Sequence, residues 1–316
     1  MNSLETSLEQ YLAMRRRLGF TLHTTEKVLK HFMRYARKQG ANYVTVALVQ
    51  RWMLEPNRAG AATWSLRIGI VRLFARWLGS RDARTEVPPE RLVPRHTRRA
   101  RPHIYSDAEV RKILLGSANL ASTRGLKGLR GPTFAALFGL VAVTGMRISE
   151  ALALDCSDVD FEQGLLTIRR TKFGKTRLVP LHATAVAELR MYAKVRDRVI
   201  GRTPEAFFVF NTGGRVTEWS AQYNFARVSQ AVGVRARVKG YKHGRGPRIH
   251  DLRHRFAVKT LLGWYRSGAD PEREIEKLST YLGHVSSRQT YWYIEAVPEI
   301  LALATQRVVA AHGGRS

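Results

Sequence analysis

Thr144-Gly145-Met146-Arg147-Ile148-Ser149-Glu150 joins two apolar segments near the middle of the chain. Pro132 to Thr144 is apolar and helical in spacing, Gly145 interrupts it, and Arg147 to Leu154 continues as a second helix. Arg147 therefore starts a helix, and Glu150, three residues on, shares its face. A guanidinium there can fork two phosphate oxygens and stays charged at any working pH. Further along stand His250-Asp251-Leu252-Arg253-His254-Arg255-Phe256-Ala257 and Leu282-Gly283-His284, with Tyr293 at the ninth position after His284. Taken singly, these phrases read as a surface ion pair, a structural His-x-x-Arg and a core aromatic. Taken together, they supply fixed positive charge, movable protons and one weak oxygen nucleophile, the inventory needed to attack a phosphodiester without a metal.

Composition agrees with a polyanionic partner. The 316 residues carry 53 Lys and Arg against 25 acids, a net charge of +28. So basic a chain most often meets nucleic acid. A membrane-surface role calls for one strongly basic amphipathic helix, whereas this excess is spread along the whole sequence. Cys156 is the only cysteine, so neither an intramolecular disulfide nor a cysteine-based zinc site can be built. No uncharged apolar stretch is long enough to span a bilayer, and the first residues lack the basic and apolar regions of a signal peptide. A cytoplasmic, nucleoid-associated protein without membrane contact is expected.

The length favours two domains. Residues 1–80 read as a helical domain, with apolar faces at Leu4, Leu8, Tyr11 and Leu12, at Leu29, Phe32 and Tyr35, at Val46, Val49 and Trp52, and from Trp64 to Leu78. Residues 81–103 read as a basic, proline-rich linker, with five Arg and no acid between Arg91 and Arg101. Ser106 and Glu109 form a capping-box pattern that opens a second domain over 104–316. That domain is expected to be mostly α with a small antiparallel sheet. Leu165 to Arg169 and Arg177 to Val179 read as strands around a Lys-Phe-Gly-Lys turn, and Phe207 to Phe210 as a further strand. Between Arg235 and Arg248 lie six Arg or Lys, four Gly or Pro and no acid, which reads as a DNA-facing loop.

The second domain, over roughly 104 to 310, resembles the catalytic domain of the tyrosine recombinases, the phage-integrase-like family. The first is similar in size and helical character to that family's core-binding domain. The resemblance implies a C-shaped clamp on double-stranded DNA, cleavage through a 3′-phosphotyrosine, and strand exchange in a homo-tetramer or a complex with related recombinases. No cofactor and no metal are implied. Residue by residue, it implies that Arg147, Arg253 and His284 stabilise charge on the phosphate, with Glu150 orienting the site. Lys172 protonates the leaving 5′ oxygen, His250 assists proton transfer and Tyr293 is the nucleophile. Lys175 rivals Lys172 on the same turn. Tyr291 rivals Tyr293, but residues two apart on a helix point to nearly opposite faces, and spacing from His284 favours Tyr293. His254, next to Arg253, is expected to face elsewhere and to pack. Arg95, Arg98, Arg99, Arg169, Arg170, Lys175 and Arg245 are expected to meet DNA without taking part in chemistry. Only Thr290 matches the two threonines the family often carries ahead of its tyrosine; Gln289 stands at the other position.

Two alternatives remain at this point: a type IB-like topoisomerase, and a DNA-binding accessory protein without activity. The acids Asp155, Asp158, Asp160 and Glu162 could hold a hard cation, but they lack the calcium-loop pattern and read better as structural.

Overall fold

A computed structural model describes residues 4–55, 60–93, 102–122, 125, 127–169, 176–236, 246–283, 286, 290–291, 299–303 and 305–306, with only the backbone of 271 and 272. The chain divides into two compact units, residues 1–100 and 101–316.

Among its described residues the first unit has four helices, α1 (Leu4–Arg17), α2 (His23–Lys38), α3 (Val46–Leu54) and α4 (Ala61–Gly79). Their apolar faces meet in an aromatic core of Tyr11, Phe32, Trp52 and Phe74. The buried Trp52 N–H is satisfied by Nδ1 of His31 at 3.1 Å. Thr45 caps α3 by accepting from the amide of Leu48 at 3.0 Å. The start of the expected linker packs on this unit. Glu86 accepts from the amide of Val46 at 2.7 Å, Arg72 donates to the carbonyls of Pro88 and Pro89, and Leu92 and Val93 lie against the core. Proline carbonyls lacking their own ladder partners suit such side-chain donors.

The second unit opens on α5 (Asp107–Ala118), where Ser106 and Glu109 form the reciprocal cap that their spacing predicts. Its centre is α6 (Arg130–Thr144), buried on most faces through Phe134, Leu137, Phe138, Leu140 and Val141. A helix apolar all round is a core helix, and its neighbours cover it on several sides. After α6 come α7 (Ile148–Ala153), a 3-10 turn at Cys156–Asp158, and strands β1 (Val159–Asp160), β2 (Leu165–Ile168) and β3 (Arg177–Pro180). These form an antiparallel sheet in the order β1-β2-β3. The expected strand over 207–210 is instead an isolated bridge, Val209 with Arg215. The named helices that follow are α8 (Ala183–Ile200), α9 (Glu218–Ala231), α10 (Ile249–Ser267) and α11 (Pro271–Leu282). Ile300 is buried against Ala257, Leu261, Leu278 and Leu282 of its own unit. Mostly helical with a small antiparallel sheet, the architecture is the class expected. Among the described residues no helix is long and apolar enough to cross a membrane.

Candidate active site

Gly145 shapes the site before any charged residue does. It ends α6 in the left-handed conformation, φ 62°, and a Cβ there would fall 2.5 Å from the ring of Phe256 on α10. Only glycine accepts both the backbone and the close approach. The tight turn lets α10 lie against the α6–α7 junction, and the carbonyl of Gly145 receives a hydrogen bond from Nη1 of Arg253 at 2.8 Å.

Arg253 is 2% exposed. Its Nη2 donates to the carbonyl of Leu282, also at 2.8 Å. The next carbonyl, that of Gly283, accepts from Nη2 of Arg147 at 3.0 Å. Two arginines more than a hundred residues apart in sequence are thus pinned to consecutive carbonyls at the C-terminal end of α11. Helix ends leave such carbonyls unpartnered and carry partial negative charge, so two cations there are favoured on both counts.

Arg147 is held from its other side by Glu150. The carboxylate accepts from the Arg147 amide at 3.0 Å and from its Nη1 at 2.8 Å. The same carboxylate accepts from Arg177 on β3, at 3.2 Å from Nη1 and 2.7 Å from Nη2. Glu150 is 8% exposed, so the ion pair readable in the sequence is a buried one with a second cation. Burial alone would raise the Glu150 carboxyl; the hydrogen bonds and charges of Arg177 and Arg147 outweigh it and hold it below the usual carboxylate range.

His250 stands exposed on the first turn of α10, three residues from Arg253. His254 is buried, but it does not turn away from His250: the two rings meet edge to face with centroids 4.7 Å apart. Four residues advance a helix by only about 40° past a full turn, which brings the two side chains together. Asp251 caps α10 by accepting from the amide of Arg248 at 2.8 Å. The Tyr105 hydroxyl donates to the Arg248 carbonyl at 3.0 Å and Arg255 donates to the Tyr105 carbonyl, also at 3.0 Å, fixing the helix start.

Of the other expected site residues, Lys172, His284 and Tyr293 lie outside the described residues, as do Arg95, Arg98, Arg99, Arg170, Lys175 and Arg245. Arg169 is described and pairs with Asp158. Tyr291 is 41% exposed, and Thr290 beside it is fully buried. Tyr281 packs on Phe256, and burial pushes its hydroxyl up to about 12. The acids of the 155–162 stretch are engaged locally. Asp155 pairs with Arg215, Asp158 with Arg169, and Glu162 with Arg190, while Asp160 accepts from the amides of Glu162 and Gln163. Among the described residues, no three His, Cys, Asp or Glu side chains are grouped as metal ligands would be.

Arg177 is the site residue that sequence reasoning passed over. Strand alternation could have found it, because Arg177 shares a face with Val179, which is buried, while Leu178 between them is exposed.

A mostly helical domain with a small antiparallel sheet thus gathers two permanent cations, Arg147 and Arg253, at one helix end. The chain belongs to the phage integrase family, whose model matches residues 130–299, more than half of its length. It is 38% identical to the "Putative integrase/recombinase y4rB" of Sinorhizobium fredii, over 98% of each chain. It is 28% identical to the tyrosine recombinase XerC of Yersinia pestis, over 90% of this chain and 87% of that one. In fold it is similar to a lambda integrase solved as a tetramer bound to a Holliday junction. The TM-score is 0.60 at 16% identity, covering 92% of this chain and 77% of that one. The matched family segment contains Arg147, Lys172, His250, Arg253, His284 and Tyr293.

Proposed function

We propose that this protein is a site-specific DNA recombinase that cleaves and rejoins DNA through a 3′-phosphotyrosine. The observation that carries the reading is the pinning of Arg147 and Arg253 to the adjacent carbonyls of Gly283 and Leu282. It fixes two permanent cations on the carbonyls one and two residues before His284, an arrangement suited to a phosphate that gains charge in a pentacoordinate transition state.

The oxygen of Tyr293 attacks the scissile phosphorus. A bond forms between that oxygen and phosphorus, and the bond from phosphorus to the 5′ oxygen breaks. Lys172 gives a proton to the departing 5′ oxygen, and His250 takes up the tyrosine proton. A free tyrosine hydroxyl ionises near pH 10, so neighbouring cations are needed to make it a nucleophile at neutral pH. Arg147, Arg253 and His284 hold the non-bridging oxygens. The phosphotyrosine keeps the energy of the broken bond, so a 5′ hydroxyl can reverse the step on the same or another strand without a nucleotide cofactor.

Residues 1–80 serve as the core-binding domain and 104–316 as the catalytic domain, joined by the basic segment between them. Arg95, Arg98, Arg99, Arg169, Arg170, Lys175 and Arg245 track the DNA backbone. Exchange of two duplexes requires four active sites, so the working form is a tetramer on DNA; the lambda integrase tetramer on a Holliday junction supports this arrangement.

The test uses nicked duplexes drawn from the genome that encodes the protein, in which the cleaved fragment diffuses away and traps the adduct. Wild type and Tyr291→Phe should give a denaturant-resistant protein–DNA adduct, and Tyr293→Phe none. An adduct with Tyr293→Phe but not with Tyr291→Phe moves the nucleophile to Tyr291. Binding without an adduct from any duplex overturns the enzymatic reading in favour of an accessory DNA-binding protein.

A further inference from the structure

Arg177 is a largely enclosed cation, its side chain 12% exposed, to which the cleavage chemistry assigns nothing. The β2–β3 register places it opposite Ile168, and Val179 opposite Leu166, on the inner face of the sheet. Leu166, Ile168 and Val179 are buried apolar residues, so an arginine occupies an otherwise apolar row. A guanidinium is costly to bury, and such a position needs a compensating partner. Glu150 is that partner, with both carboxylate oxygens engaged by the Arg177 fork at 3.2 and 2.7 Å. Nε of Arg177 is buried and makes no hydrogen bond among the described residues.

The fork does more than neutralise charge. Arg147 holds Glu150 by its Nη1 to Oε1 at 2.8 Å and by its amide to Oε2 at 3.0 Å. Arg177 adds a second contact to each oxygen, which stiffens the carboxylate in that plane and with it the direction from which Oε1 meets Arg147. The two guanidiniums also flank one backbone position. A Cβ on Gly283 would lie 2.7 Å from Nη1 of Arg177 and 3.4 Å from Nη1 of Arg147. Two cations so placed repel, and the carboxylate they share keeps them side by side. Both the shared carboxylate and the missing Cβ are needed for the cluster to close against the end of α11.

We infer that Arg177 is a positioning residue which, through the shared carboxylate of Glu150, sets the orientation of the Arg147 guanidinium beside the phosphate site. The inference rests on the proposed function for the identity of the phosphate, whereas the hold on Arg147 is a property of the DNA-free protein.

The experiment has two arms on the full chain. In the first, nitrogen-15 spectra of the arginine side chains are recorded without DNA. Wild type should show separate Nη signals for Arg147, the mark of a guanidinium held against rotation. In Arg177→Lys, which keeps the charge but not the fork, those signals should merge. In the second, the rate of adduct formation from bound DNA is measured beside DNA affinity. Arg177→Lys should slow cleavage about 10- to 100-fold, the usual scale for removing a supporting partner, with affinity within about 3-fold of wild type. Adding Arg177→Lys to Arg147→Lys should cost little more than Arg147→Lys alone, because both act on one group. Unchanged Arg147 signals in Arg177→Lys, or losses that multiply in the double variant, overturn the inference. If wild type forms no adduct, the recombinase reading falls, and the spectra still decide whether Arg177 holds Arg147.

Discussion

Arg147 and Arg253 are tied to neighbouring carbonyls, those of Gly283 and Leu282, so the end of α11 sets the spacing of the two cations. Replacing either arginine by lysine keeps one charge but loses the second hydrogen bond of the fork. Arg147→Lys and Arg253→Lys are each expected to slow adduct formation about 100- to 1,000-fold, measured as a single-turnover rate on bound DNA. Arg253→Ala should also lower stability, by about 1–3 kcal/mol for each buried carbonyl left without a donor, seen as a lower denaturant midpoint.

Gly145 and Gly201 separate backbone strain from site geometry. Both have positive φ, 62° and 78°, but a Cβ at Gly145 meets Phe256, whereas one at Gly201 meets nothing within 4 Å. Gly201→Ala should cost about 1 kcal/mol and leave cleavage intact. Gly145→Ala should cost at least about 3 kcal/mol, since overpacking adds to the strain. It should also slow cleavage by shifting the carbonyl that holds Arg253. Thermal unfolding and adduct rates on both variants check the contrast.

Much of this site is legible in the sequence, and for identifiable reasons. Helical spacing and the Ser106–Glu109 cap are local signals, and α5 to α7 follow them closely. The pairing of Arg147 with Glu150 needs only a helix. The strand β1 has two residues, too few to show alternation. Phe207 and Phe208 are apolar because they fill the core, and they reach it without extended pairing. Arg177 looks like one more basic residue of a hairpin until the register turns it inward beside Glu150. The contact of His250 with His254 follows from their four-residue spacing, which the comparison of His254 with its neighbour Arg253 obscures.

Glu150 should leave a mark on the pH dependence of stability. Its carboxyl titrates lower in the folded protein than in the unfolded chain. The stability this contributes is therefore fully present above the unfolded value, about 4.3. It declines as pH falls below that value and is lost once pH passes below the folded one. Glu150→Gln should remove this part of the acid loss, and at neutral pH it should be less stable than wild type because Arg147 and Arg177 lose their shared counter-charge. Denaturant titrations across the acid range, wild type against Glu150→Gln, read both effects.

The proposed basic linker should show its role through salt. Each of Arg95, Arg98 and Arg99 that contacts a phosphate contributes about one unit to the slope of log affinity against log salt. Arg98→Ala and Arg99→Ala together should flatten that slope by up to about two units, with little change in the cleavage rate once DNA is saturating.

The nucleophile is best identified by mapping the trapped adduct. After trapping on a nicked duplex, digestion and mass spectrometry locate the tyrosine that carries the nucleotide remnant. The expected result is a 3′-phosphonucleotide on the peptide containing Tyr293, at Tyr293 itself. A remnant on Tyr291, on Tyr281 or on a residue other than tyrosine would contradict the assignment of Tyr293 and the mechanism built on it.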